Sequence, residues 1–273
     1  VLQRIKEHWP EYLIEAWALG MFMVSAGVCT VLLNHPLSPV TQWLPAVGTR
    51  QAFLGLAMGL TAVAIIYSRW GKRSGAHMNP AVTLSFLLLG KVHRVDAVAF
   101  IAAQFAGGLL GVMLVRSAMG ELFSAPPIEY VVTRPGADGL WLAFCAETVI
   151  SFLLMSAVLA FSSRTRLAPY TGIAAGALVA TFIAVEAPLS GMSMNPARSL
   201  ASALPAHAWQ GLWIYFVAPP AGMLLAAGLA AWRKRPISCA KLRHTTDVRC
   251  IHCNYTPNGM AAVAAPPEAH VES

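Results

Sequence analysis

Apolar blocks of roughly 20 residues recur along this chain, and that length is what a helix needs to cross a bilayer core of about 30 Å. The blocks leave little else with which to build a water-facing surface. Of 273 residues, 57% are hydrophobic and 11% charged, whereas a soluble domain carries about 25% charged residues. The solvent for most of this chain is therefore lipid. Six spans are predicted at Glu11 to Leu33, Gln51 to Tyr67, Val95 to Val115, Leu140 to Phe161, Tyr170 to Ala187 and Gln210 to Trp232. The first follows Arg4 and Lys6 as a signal peptide would, but it is too long and lacks a small-residue cleavage site, so it is read as a retained helix.

A net charge of +7 raises the question of nucleic acid. The basic residues instead lie between the apolar blocks, which excludes a nucleic-acid-binding face. Of 19 Lys and Arg residues, 15 fall at the two termini and in the second and fourth loops, against Arg50, Arg116 and Arg134 on the other side. The positive-inside rule then predicts both termini in the cytoplasm of a plasma (inner) membrane protein.

Two further apolar stretches, Ala81 to Leu89 and Ala197 to Leu204, are too short to span. Each follows Asn-Pro, with Asn suited to an N-cap and Pro to the first helical turn, so both are predicted as half-helices. Ser74-Gly75-Ala76-His77-Met78-Asn79-Pro80-Ala81 answers Ser190-Gly191-Met192-Ser193-Met194-Asn195-Pro196-Ala197, and Ala103-Gln104-Phe105-Ala106-Gly107 answers Ala218-Pro219-Pro220-Ala221-Gly222. Glu15 likewise has Glu147 as its counterpart. Three spans per repeat is odd, so the halves, about 9–116 and 138–232, must be inverted in the membrane. Gly55 with Gly59, Gly107 with Gly111 and Gly172 with Gly176 sit at the spacing of close helix crossings.

If the half-helices dip from opposite faces, their N-termini meet at the midplane, each equivalent to about +0.5 charge, and a cation there is repelled. Asn79 and Asn195 can cap their helices through the side-chain oxygen while offering amide hydrogens to a solute oxygen. Non-helical backbone at that depth implies a pore. Arg198, directly after the second motif, is a charge inside the membrane and hence a functional candidate.

The two Asn-Pro-Ala segments, Asn79-Pro80-Ala81 and Asn195-Pro196-Ala197, the second followed by Arg198, resemble the signature loops of the major intrinsic protein (aquaporin) family. The likeness runs from Glu11 to Trp232 and implies an all-α fold of six transmembrane helices with two re-entrant half-helices. It implies a bacterial-type water channel or aquaglyceroporin, assembled as a homotetramer in membrane lipid. Spacing against the family places Arg198, Met192 and Ile183 in the selectivity filter, with Met58 or its neighbour Gly59 as the fourth member. Ile183 departs from strict water channels, which carry His there, and suggests passage of glycerol or urea. Ser199 after the arginine and the pair Tyr215-Phe216 are typical of water channels and point the other way. In the family the matching glutamates brace the loops, and the same role is expected of Glu15, Glu147 and His77.

Residues 1–235 are thus expected to form the channel and 236–273 a cytoplasmic, partly disordered tail. Within it Cys239, His244, Cys250 and Cys253 have the ligand types of a zinc site, with His252 as a rival ligand and incidental thiols as the competing reading. No other cofactor is expected. Cys29 and Cys145 read as small apolar packing residues. No nucleophile, base and orienting group assemble, which excludes an enzyme. A secondary transporter or a non-conducting scaffold of the same fold are the alternatives.

Overall fold

The computed structural model describes residues 1–256. Its main helices are α1 (Leu2–Asn34), α2 (Val47–Tyr67), α3 (Pro80–Leu88), α4 (Arg94–Met119), α5 (Leu140–Ser162), α6 (Thr171–Val185), α7 (Pro196–Ala206) and α8 (Leu212–Trp232), joined by loops and shorter helical turns. Among the described residues, six of these are long and apolar enough to cross a bilayer, α6 extending back through a 3-10 turn to Ala168. The two short ones, α3 and α7, are the half-helices.

Boundaries differ from those expected mainly at α1, which starts at Leu2 rather than Glu11. The cause is Asp96 at the foot of α4, fully buried and accepting from Arg4 Nε at 2.9 Å and Tyr12 Oη at 2.7 Å, with His8 Nδ1 at 2.9 Å. These partners recur on one face of the same helix, so the first two turns are held by a polar cluster that apolar patterning does not register. Of the cysteines, Cys29 is half-buried but Cys145 is exposed on the outer face of α5, so the second is not a packing residue within the bundle. Residues 257–273 of the expected tail lie outside the described residues.

The repeat governs the packing. α1 lies along α4 as α5 lies along α8, and α2 and α6 cross each other between the pairs. At each crossing backbones approach within the space a side chain would need. A methyl group on Gly107 would stand 2.0 Å from the Ala16 carbonyl oxygen, one on Gly222 2.2 Å from that of Thr148, and one on Gly59 2.5 Å from that of Gly176. Without a hydrophobic drive between helices in lipid, this close van der Waals fit holds the bundle. Leu13, Leu56, Leu60, Leu110, Val149 and Leu225 point outward, where hydrocarbon rather than water meets them. The half-helices α3 and α7 each pack against both α4 and α8, at the centre of the bundle.

Gly107→Val should cost more than about 2 kcal/mol, because the clash is with backbone that cannot rotate away, whereas Gly228→Ala, with open space around it, should be neutral. Thermal unfolding in detergent checks both, and equal midpoints for the two variants would refute the close-crossing account.

Candidate functional site

The site begins with the two caps. Asn79 Oδ1 accepts from the Ala81 N–H at 2.9 Å, and Asn195 Oδ1 accepts from those of Ala197 at 3.0 Å and Arg198 at 3.2 Å. Pro at the first helical position then costs no hydrogen bond in either helix. The amides do more than was expected of them. Asn79 Nδ2 donates to the Met194 carbonyl and Asn195 Nδ2 to that of Met78, both at 2.6 Å. The two segments are therefore cross-braced, each asparagine using one amide hydrogen on the opposite segment and keeping a second.

Each segment also hangs on one buried glutamate. Glu15 accepts from Ser74 Oγ at 2.7 Å, His77 N at 3.1 Å, Met78 N at 2.8 Å and Gln104 Nε2 at 2.9 Å. Glu147 accepts from Ser190 Oγ at 3.0 Å, Ser193 N at 2.5 Å and Met194 N at 2.8 Å. Holding the chain there requires left-handed backbone at non-glycine residues, at Ala76 and Met78 in one segment and Met192 and Met194 in the other, with φ between 49° and 53°. Each such residue costs on the order of 1–3 kcal/mol, a strain that persists only where the surroundings fix it. His77 sits between Thr83 Oγ1 at 3.0 Å and the Ala240 carbonyl at 2.7 Å, to which its Nε2–H donates.

Both segments line one cavity of about 320 Å³. Its walls include Asn79, Asn195, Arg198, Met192, Ile183 and Met58. Met58 therefore faces the cavity, while Gly59 faces the backbone of α6. Ile183 is positioned by Gln51, whose Nε2 donates to its carbonyl at 2.9 Å. Arg198 has a buried Nη1 without a hydrogen-bond partner, and among the described residues no carboxylate lies within ion-pair distance of it. The aromatic pair behaves differently: Tyr215 is buried and donates to the Ser190 carbonyl at 2.6 Å, Phe216 stacks on Phe105, and neither lines the cavity. Ser199 is likewise turned away, against Ser193 Oγ at 2.5 Å.

Sequence reasoning missed Gln104 as a loop brace and Leu242 in the cavity wall. Gln104 had a signal, since its counterpart in the repeat is Pro219, which has no donor to offer. Leu242 belongs to the segment after α8, where Cys239, His244, Cys250 and Cys253 bring their ligand atoms within 4.8 Å of one another. This cluster could hold a metal ion. His252 is not part of it, its Nε2–H being given to the Ser74 carbonyl at 2.9 Å. The hydrogen bond from Cys239 to Cys250 holds the Cys250 thiol well below the usual range and pushes Cys239 up, which favours the thiolate that a metal binds.

A family model described as Major intrinsic protein matches residues 3–230. The chain belongs to that family. It is 36% identical over 217 residues to a probable aquaporin NIP-type of Nicotiana alata, covering 78% of this chain and 74% of the relative. It is 34% identical over 212 residues to aquaporin NIP2-3 of Zea mays, covering 77% and 68%. Among solved structures, the aquaglyceroporin from Plasmodium falciparum matches with a TM-score of 0.65 over 82% of this chain and 95% of that one, at 18% identity, which shows the shared fold. The family consists of membrane channels rather than enzymes, and the chain is an integral membrane protein. These relatives do not single out a bacterial type.

Glu15→Ala would leave four donors facing an apolar space, at about 1–3 kcal/mol for each one that finds no water. It should lower the thermal midpoint in detergent far more than Glu15→Gln, which keeps an acceptor; equal losses would deny the glutamate its bracing role.

Proposed function

We propose that this protein is a passive channel for water and small uncharged solutes such as glycerol and urea, closed to ions and protons. The observation that carries this reading is the single cavity lined at once by both capping asparagines and by the unpaired Nη1 of Arg198. A solute oxygen meets the remaining asparagine hydrogens between two helix N-termini, each equivalent to about +0.5 charge. A cation entering there loses hydration against a positive potential with no ring of carbonyls to replace it. A water held by both asparagines points its hydrogens outward, which breaks a proton-conducting chain.

Met58, Ile183, Met192 and Arg198 are assigned to the filter, with Glu15, Glu147 and His77 as its supports. Ile183 offers neither the bulk nor the hydrogen bond of an imidazole, and Met192 can swing aside, so the filter should admit solutes larger than water. The likeness to an aquaglyceroporin supports that breadth. The two carboxylates within the spans, Glu15 and Glu147, are committed as acceptors and are not free to take a coupling ion. Both termini are assigned to the cytoplasmic side of the inner membrane by the distribution of Lys and Arg. A homotetramer is assigned from the family resemblance. Residues 1–235 are assigned to the channel and 236–273 to a cytoplasmic tail, whose Cys/His cluster is assigned to a structural zinc ion. Over 236–256 the segment has neither helix nor strand to hold it, and a cross-link of this kind would supply that order.

Stopped-flow light scattering on proteoliposomes tests the channel. Water permeability should rise well above that of empty vesicles, with glycerol and urea flux also above background and no ion current. Ile183→His should reduce glycerol and urea flux more than water flux. Rapid water flux with solute flux at lipid background would leave a strict water channel, and water flux at background would overturn the channel itself.

A further inference from the structure

The segment that follows α8 does not hang free of the channel. Over 236–256 it forms neither helix nor strand, yet it is tied to the first re-entrant loop at four points. Leu242 N donates to the Gly75 carbonyl at 3.2 Å, His252 Nε2 to that of Ser74 at 2.9 Å, and Lys241 Nζ to that of Lys72 at 2.8 Å, while His77 Nε2 donates to the Ala240 carbonyl at 2.7 Å. Ile251 packs against Tyr12 and Phe100. Leu242, 6% exposed, enters the same apolar cluster as Ile66, Ala76 and Val158 and lines the cavity that Asn79 and Arg198 line. The opposite end of that cavity is marked by Asn34 and Gln51, at the far ends of α1 and α2. Leu242 therefore stands in the mouth on the side of the two chain ends.

The Cys/His cluster lies at the base of this arrangement. Tetrahedral zinc, with Zn–S of about 2.3 Å and Zn–N of about 2.0 Å, sets ligand atoms roughly 3.3–3.8 Å apart. Cys239 and Cys250 sulfurs are 3.4 Å apart, and His244 Nε2 is 3.2 Å from the Cys253 sulfur. The four ligands bracket Leu242 on one side and His252 on the other, so one ion would fix both contacts with the loop.

We propose that zinc held by Cys239, His244, Cys250 and Cys253 clamps this segment over the channel mouth with Leu242 as the plug, so that metal occupancy sets the open fraction of the pore. The inference rests on the channel and zinc readings above and adds the coupling between them. Binding of the ion stabilises the seated segment and its loss releases the plug, by the linkage that makes metal binding and folding of a small metal site one equilibrium.

The test uses the full-length protein in proteoliposomes, with zinc per chain measured by elemental analysis and water permeability by stopped-flow light scattering. One zinc per chain is expected, with a several-fold rise in permeability on chelation that reverses when zinc is restored. Leu242→Ala should keep the zinc, show high permeability in its presence and lose the response to chelator. Cys250→Ser with Cys253→Ser should lose the zinc and behave as the chelated wild type. Zinc that binds stoichiometrically while neither chelation nor Leu242→Ala alters permeability would overturn the plug and leave the zinc and channel readings intact. Failure to bind zinc would overturn the zinc reading and the coupling with it, and permeability at the level of empty vesicles in every state would overturn the channel.

Discussion

Two carboxylates buried in the bundle make the rest of the structure possible. A re-entrant segment brings backbone N–H groups to a depth where no bulk water waits for them, and each unpaired group would cost several kcal/mol. Glu15 and Glu147 collect these donors, two backbone groups and a serine hydroxyl in each half. Their charge is tolerable because it is spread over several hydrogen bonds, and those bonds in turn hold the left-handed residues that deliver Asn79 and Asn195 to the same place. Remove the carboxylates and the helix caps have nothing to hold them apart from each other.

The two halves are alike in this scaffold and unlike where the cavity meets a solute. Thr83 and Ser199 occupy equivalent positions beside His77 and Ser193, so each loop has its hydroxyl brace. After the motif, however, the first half carries Val82 and the second Arg198, and both line the cavity. The inverted repeat thus supplies a symmetric meeting point at the centre and one positive, partner-seeking side chain toward a single mouth. On the proposed channel reading, charge selection has two stages, the paired helix ends at the midplane and the guanidinium of Arg198.

The architecture was legible because lipid imposes it: block length, the Asn-Pro starts and the glycine pairs four residues apart each point to one structural solution in a bilayer. The same signals misread what depends on polar contact at a distance. The start of α1 hinges on Asp96, far along the chain, and no periodicity in α1 announces that partner. Met58 and Gly59 are adjacent, so motif spacing could not separate them; the glycine is spent on the crossing with α6 and the methionine is left for the cavity. His252 and His244 are equivalent as potential ligands by composition, and only the fold gives one of them to the Ser74 carbonyl. Tyr215, which with Phe216 forms the aromatic pair typical of water channels, spends its hydroxyl on the second loop rather than on the cavity.

That hydroxyl also shows why the two loops are supported from different sources. The Ser190 carbonyl in the second half is satisfied from inside the bundle, by Tyr215 Oη at 2.6 Å. Where the repeat aligns Gln104 with Pro219, Tyr215 falls opposite Phe100, which has no hydroxyl, and the Ser74 carbonyl of the first half would lack its donor. His252 supplies it, with its ring set edge-on to Phe100 at 5.7 Å and stacked on His77 at 5.7 Å. A support that in one half is an integral part of a spanning helix has in the other been moved onto a separate segment. Because this carbonyl lies toward a mouth, water can take the place of His252 when the segment leaves, at the small net cost of exchanging one hydrogen bond for another. The second loop has no such freedom, since its donor is fixed in the bundle. The Ser74 carbonyl of the first loop is therefore supported from outside the spanning helices, as the Ser190 carbonyl of the second is not.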